Sequence, residues 1–394
     1  MDIMNDMTRT RRGAVAVLAA SAMALSAAAP ALAQDDDIVI GYAAAVTGAL
    51  APYDSPDGVR CRIDQINEAG GLLGGRKLRL ELRDMKSDSA LSATAGQELL
   101  DLGVSAILSP PTDDMSIPIA ALAMPTGTPV LTVASTQPAF PMAMPMNAYL
   151  VPYGDNAAAA AAAQLAIDMG YKTTVLMVSH DVGSYSLVTP EYFGDAFEHL
   201  GGKVLGKINY NSGLSDYSAQ VAEIQNMDPK PDVVFGAFIV PEAGVFPRQM
   251  QAAGLEIPIF GTDGLDDPGV IDIGGAGAEL VKFTTHGFPT EGSALAEFYA
   301  DCKARGYQIE NIFFGLAGDS VTIIATAIEA AGSAEPSAIN DAIKEIADLE
   351  GITTDSITYK DRGGVPLRNM AMVEIKDGKF TLIKKVMPDY IPAP

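Results

Sequence analysis

From Ile38 onward the chain switches between two patterns of apolar and polar residues. Ile38-Val39-Ile40-Gly41-Tyr42 is short, apolar and β-branched, as a buried strand should be. A loop over 49–56 follows. From Asp57 the apolar positions Val59, Ile63 and Ile66 recur at helical spacing, until Gly70-Gly71 ends the helix. Leu78 to Leu82 alternates apolar and charged residues and reads as a second strand. Strand, loop, helix, strand is the repeat of a parallel α/β sheet. The rhythm continues with a helix over 89–102, a strand over 104–108 and a loop over 109–116. A helix is predicted over 117–124, with Pro118 in its first turn and Ser116 as N-cap, before a strand over 129–133.

Residues 145–154 carry no period and contain Pro145 and Pro152. Beyond them the alternation restarts with an alanine-rich helix ending at Gly170 and strands over 174–178, 203–210, 231–235 and 280–285. Helices are predicted over 294–305, 315–331 and 336–346. The chain closes with strands over 356–359, 370–375 and 380–386, the last two joined by the turn pair Asp377-Gly378. The fold class is therefore α/β with parallel central sheets.

In such sheets small ligands bind beyond the carboxyl ends of the strands, which draws attention to Thr47 and Tyr53 after the first strand. Thr112, Ser116, Ser135 and Thr136 follow two further strands and bring hydroxyls and free main-chain amides to one sheet edge. Unpaired N–H groups at helix starts suit a carboxylate.

A chain of 394 residues holds two ordinary domains, each with its own core. The net charge of −23 argues against nucleic acid or an anionic membrane surface as a partner. Arg9, Arg11 and Arg12 precede an apolar run over 13–29 and the small residues Ala31-Leu32-Ala33, the pattern of an export signal cleaved after Ala33. No other stretch reads as a membrane span, so the mature chain is expected to be periplasmic and not membrane-spanning. The glycine-rich dinucleotide fingerprint is absent, as are GxSxG, HExxH and GxxxxGK[ST], and His180, His199 and His286 are far apart in sequence. No enzyme, cofactor or metal site is predicted. Export permits a bridge between Cys61 and Cys302, but two separate helix thiols is the reading adopted.

The stretch from Thr47 to Asp84, with Asn67, Gly70 and Gly71 closing its helix, resembles the opening of the periplasmic leucine/isoleucine/valine-binding proteins. These are the type I solute receptors of ABC importers. Asp216-Tyr217-Ser218 followed by the strand at Pro231 is a second, more specific sign. The resemblance implies two doubly wound lobes joined by a three-crossing hinge, near 151–155, 286–289 and 364–367. Residues 36–151 and 287–365 would form the N-terminal lobe, and 152–286 and 366–394 the C-terminal lobe.

The same resemblance implies the site. Ser135 and Thr136 match the family's pair for the ligand's polar head. The serine-rich run before them is replaced by Pro110-Pro111-Thr112-Asp113-Asp114-Met115, so Thr112 or Ser116 stands in for the missing hydroxyl. Met115 and the two acids depart from ordinary branched-chain amino-acid specificity, although Asp113 and Asp114 themselves read as solvated loop acids. Tyr185 would close over the ligand from the second lobe, Phe238 lies near a family aromatic, and Asp263 would take an ammonium. The expected function is capture of a small polar solute, amino acid or amino-acid-like, by a monomer that presents its closed form to ABC permease subunits. The alternatives are a sensory receptor of the same fold, or a receptor for an amine, amide, polyol or cation.

Overall fold

The computed structural model describes residues 37–394; the predicted export signal lies outside them. Two sheets organise this part of the chain. The first runs β2-β1-β3-β4-β5, from β1 (Ile38–Ala44), β2 (Leu78–Asp84), β3 (Ala106–Ser109), β4 (Val130–Thr132) and β5 (Ala148–Leu150), all parallel. Period-two alternation decides its packing. Ile38, Ile40, Tyr42 and Ala44 of β1 enter the core on one face, and Ala43 enters the core on the other. The helices of this lobe are α1 (Pro56–Glu68), α2 (Ser89–Asp101), α3 (Asp113–Ala123) and the short α4 (Ala139–Ala143).

The chain then passes through α5 (Asp155–Asp168) into a second sheet. Its parallel strands are β6 (Thr173–Val178), β7 (Lys203–Asn209), β8 (Val233–Gly236), β9 (Ile259–Gly261) and β10 (Val281–Thr285). The connecting helices are α6 (Gly183–His199), α7 (Ser218–Asn226), α8 (Glu242–Ala252) and α9 (Gly269–Gly274). After β10 the chain returns to the first sheet as α10 (Ala294–Ala304), α11 (Ile312–Ala331) and α12 (Pro336–Lys344), whose apolar residues share the core of β1. It ends as the hairpin β11 (Met370–Lys376) and β12 (Lys379–Val386), added antiparallel to β10, so the second sheet reads β12-β11-β10-β9-β8-β6-β7. Asp377 and Gly378 both take positive φ at its turn, as a two-residue hairpin loop requires.

By length and composition α11 would pass as a membrane span, contrary to the sequence reading, but it is the buried core helix of the first lobe. It approaches α1 closely at Gly58, where an added Cβ would stand 2.3 Å from the Phe314 carbonyl oxygen. Cys61 of α1 and Cys302 of α10 form a disulfide, which corrects the expectation of two thiols. Residues 241 apart in sequence are brought together by the return of the chain, and no local signal announces that.

Other expectations shift as well. The third helix starts at Asp113 and not at 117, so Ser116 is an interior residue whose hydroxyl donates to the Pro110 carbonyl at 3.1 Å. Asp113 and Asp114 thereby occupy its first turn, where acids suit the positive end of the helix. Strand β5 falls in the aperiodic stretch, and 356–359 makes only isolated bridges at Ile357 and Thr358.

Candidate functional site

Both sheets turn the carboxyl ends of their strands toward one cavity. From the first lobe, Leu50 and Tyr53 follow β1, Pro111 to Asp113 follow β3, and Ala134 to Gln137 follow β4. From the second, Val182 and Tyr185 follow β6, Ile239 follows β8, and Asp263 and Gly264 follow β9. Phe313, in the first turn of α11, closes one side. Strand β1 lies between β2 and β3, and β6 between β7 and β8, so the cavity opens where strand order reverses in each sheet. This is the crevice that a doubly wound sheet offers a ligand.

Six residues singled out in the sequence line this cavity: Tyr53, Thr112, Ser135, Thr136, Tyr185 and Asp263. Four do not. Thr47 is exposed and fastens its loop to the end of β2, its hydroxyl donating to Asp84 at 2.8 Å, while Leu50 of the same loop reaches the cavity. Met115 and Ser116 turn into the core because helix α3 begins four residues early. Phe238 packs against Tyr210 and Phe246 on the far side of the second sheet, and its neighbour Ile239 faces the cavity. A one-residue offset reverses the face of an extended segment, which is why the family spacing misplaced it. Asp113, read as a solvated acid, is buried in the lining and accepts a hydrogen bond from Ser184; Asp114 is exposed. Gln137, Phe313 and Val182 were not anticipated.

Several bonds cross from lobe to lobe. The Tyr53 hydroxyl accepts from the Val240 N–H at 2.9 Å and donates to the Gly264 carbonyl at 3.3 Å. Gln137 Nε2 donates to Thr189 Oγ1 of α6 at 3.0 Å. Tyr185 stays within the second lobe, its hydroxyl accepting from the Gly264 N–H at 2.9 Å and lying 2.8 Å from Thr262 Oγ1.

The electrostatics are acidic. Burial pushes the Asp263 carboxyl up to about 7, and its Oδ1 has no hydrogen-bond partner among the described residues. His286 Nε2 lies 3.2 Å from its Oδ2, but out of hydrogen-bonding geometry. Burial and then the charge of Arg368 hold the His286 pKa well below its ordinary value, so the contact is to a neutral ring and not an ion pair. Arg368 itself is occupied by Val151, Thr353 and Asp319. No lysine or arginine lines the cavity.

A two-lobed α/β molecule with polar strand ends facing a shared cavity is built to hold a small solute between its halves. The chain belongs to the periplasmic binding protein family, whose sequence profile it matches over residues 37–379. It is a solute-binding protein and not an enzyme. A Leu/Ile/Val-binding protein BraC3 from Rhizobium johnstonii is 27% identical over 351 residues, covering 87% of this chain and 93% of that protein. A leucine binding protein LivK from Thermotoga maritima superposes with a TM-score of 0.79 at 27% identity, covering 89% of this chain and 99% of its own. An ABC transporter solute-binding protein from R. palustris, solved with 4-hydroxybenzoate, shares the fold at 19% identity and a TM-score of 0.78, covering 90% and 98%.

Proposed function

We propose that this protein is the monomeric periplasmic receptor of an ABC importer, and that it captures a small solute bearing a protonated amine. The solute sits in the interlobe cavity, and the lobes close on it about three chain crossings near 151–155, 286–289 and 364–367. The closed form is then presented to the permease in the inner membrane. Residues 36–151 with 287–365, and 152–286 with 366–394, are the two bodies that move.

Asp263 carries this reading. A buried carboxylate is costly unless a cation faces it, and the described residues supply none at its free oxygen. An ammonium would offset that cost. Leu50, Val182, Ile239 and Phe313 give an apolar wall for a short hydrocarbon body, and Tyr185 covers it from the second lobe. The names of the Leu/Ile/Val-binding relatives agree with a ligand of this size and with an amine.

The test is calorimetry of the wild type and Asp263→Ala with leucine, leucinamide and 3-methylbutylamine. Binding of at least one amine to the wild type and its loss in the variant are expected. Equal affinity in the two proteins would refute the role of Asp263.

A further inference from the structure

Helices α3 and α6, one from each lobe, meet by their N-terminal ends at the cavity, and neither is capped by its own N-cap side chain. The N-cap of α3 is Thr112 and that of α6 is Val182, and neither side chain accepts a bond from its own first turn. The first turn of α6 has no acid, whereas that of α3 carries Asp113 and Asp114. A helix N-terminus bears unpaired N–H groups and a partial positive charge, so two of them brought together repel unless acids stand between them.

The acids of α3 stand there. Asp113, buried in the cavity lining, accepts a hydrogen bond from the Ser184 hydroxyl of α6. Gly183, the first residue of α6, comes so near that an added Cβ would lie 3.1 Å from Asp114 Oδ1 and 3.4 Å from Asp113 Oδ1. Further along the same helix Thr189 accepts from Gln137 Nε2 of the first lobe, so α6 docks at two points. Tyr185 follows Ser184 directly and lines the cavity. Where α6 docks on the first lobe therefore decides where this ring stands over a solute.

We propose that Asp113 and Asp114 cap α6 from the opposite lobe, forming a latch that holds the closed arrangement, with Asp113 the positioning residue for Tyr185 through Ser184. This rests on the reading that the lobes move about a hinge, and it is independent of which solute binds.

The test uses the mature protein with Asp113→Ala, Ser184→Ala, their double variant and Asp114→Asn, each checked for fold by circular dichroism. Small-angle scattering without ligand should give a larger radius of gyration for Asp113→Ala than for the wild type. Tyr53→Phe, which removes two other interlobe bonds, is the control for the hinge. In calorimetry with 3-methylbutylamine and with leucine, Asp113→Ala should weaken binding about tenfold. Ser184→Ala should weaken binding of the same probe in the wild type and cost almost nothing further once Asp113 is gone, because the two share one bond. Asp114→Asn, exposed and outside the cavity lining, should weaken binding about two- to fivefold, an effect no direct ligand contact would produce. Losses from Asp113→Ala and Ser184→Ala that simply add would place Asp113 on the ligand and overturn the latch, and a wild-type affinity in Asp114→Asn would remove Asp114 from it. If neither probe binds, scattering decides. Expansion of Asp113→Ala then supports the latch. Expansion of Tyr53→Phe alone overturns it, and expansion of neither overturns the hinge reading together with it.

Discussion

Burial raises the pKa of the Asp263 carboxyl to about 7, because ionisation must occur without water and no ammonium or guanidinium lines the cavity beside it. Hydrogen bonds from the Asp263 main chain and from Thr262 oppose the shift without cancelling it. Asp155 and Asp266 are carboxyls with raised pKa values, the phenols of Tyr153 and Tyr185 are neutral, and His286 is held neutral by burial and Arg368. The sign for stability follows: with a folded pKa near 7 against about 3.9 unfolded, the native state binds the extra proton, so this group's contribution is full below about pH 4 and declines as pH rises toward 7. Cation binding runs the other way, since it needs the ionised form. The affinity for 3-methylbutylamine should therefore drop about a hundredfold from pH 8 to pH 5, the proton competing below about 7. Calorimetry across that range checks it, and a flat profile would show that Asp263 does not hold the cation. Thr136 was visible as a hydroxyl beyond a strand end, and Asp263 and Tyr185 through the family resemblance, which places both in the stretch that leaves a strand of the second sheet. The part Asp155 plays in fixing two lining side chains was not legible. The residue lies in what reads as the start of a plain alanine helix, and only the folded chain places it against Thr136 and Gln137.

Arg368 is a buried link between segments far apart in sequence. It donates to the Val151 carbonyl after β5, to Thr353, and to Asp319 of α11 at 3.4 Å, with both charged side chains fully buried. Asp319 in turn accepts from the Ile352 and Thr353 N–H groups, so one pair ties α11 to the irregular segment after α12 and to the bend that follows β5. Buried pairs add little net stability when intact, but removing one member strands the other charge. Arg368→Met is expected to lower the unfolding free energy by about 3–5 kcal/mol in urea denaturation. Adding Asp319→Asn, which keeps an acceptor for Ile352 and removes the orphaned charge, should recover part of the loss; no recovery would show that lost packing of the arginine stem is the cause. The strands and helices of both lobes were largely legible from their periods. Helix α3 was misjudged because Pro118 was read as a first-turn residue, when it sits inside a helix whose acidic first turn begins at Asp113. Strand β5 is three residues long, too short for alternation to show, and it forms because Val130 to Thr132 offers a paired edge.

A few bonds join the two lobes across the cavity, and a hinge opening would break them. Tyr53 supplies two of them, accepting from the Val240 N–H and donating to the Gly264 carbonyl across the cavity mouth. Its ring is anchored on the first lobe by edge-on contact with Phe313 at 5.5 Å, so the hydroxyl reaches over from a fixed base. A hinge protein distributes between open and closed forms, and a ligand that bridges the lobes draws the population toward the form it binds better. Apparent affinity then scales with the closed fraction, and anything that weakens interlobe bonds weakens binding without touching the ligand. Tyr53→Phe removes both bonds and keeps the ring contact with Phe313. At about 0.5–1.5 kcal/mol net for each bond, ligand affinity should fall between about 5-fold and 150-fold. Small-angle scattering should show the same variant with a larger radius of gyration than the wild type before ligand is added, and contraction to the wild-type value at saturation. Weakened binding with no change in the free radius would assign Tyr53 to direct ligand contact, and unchanged binding would remove it from both roles.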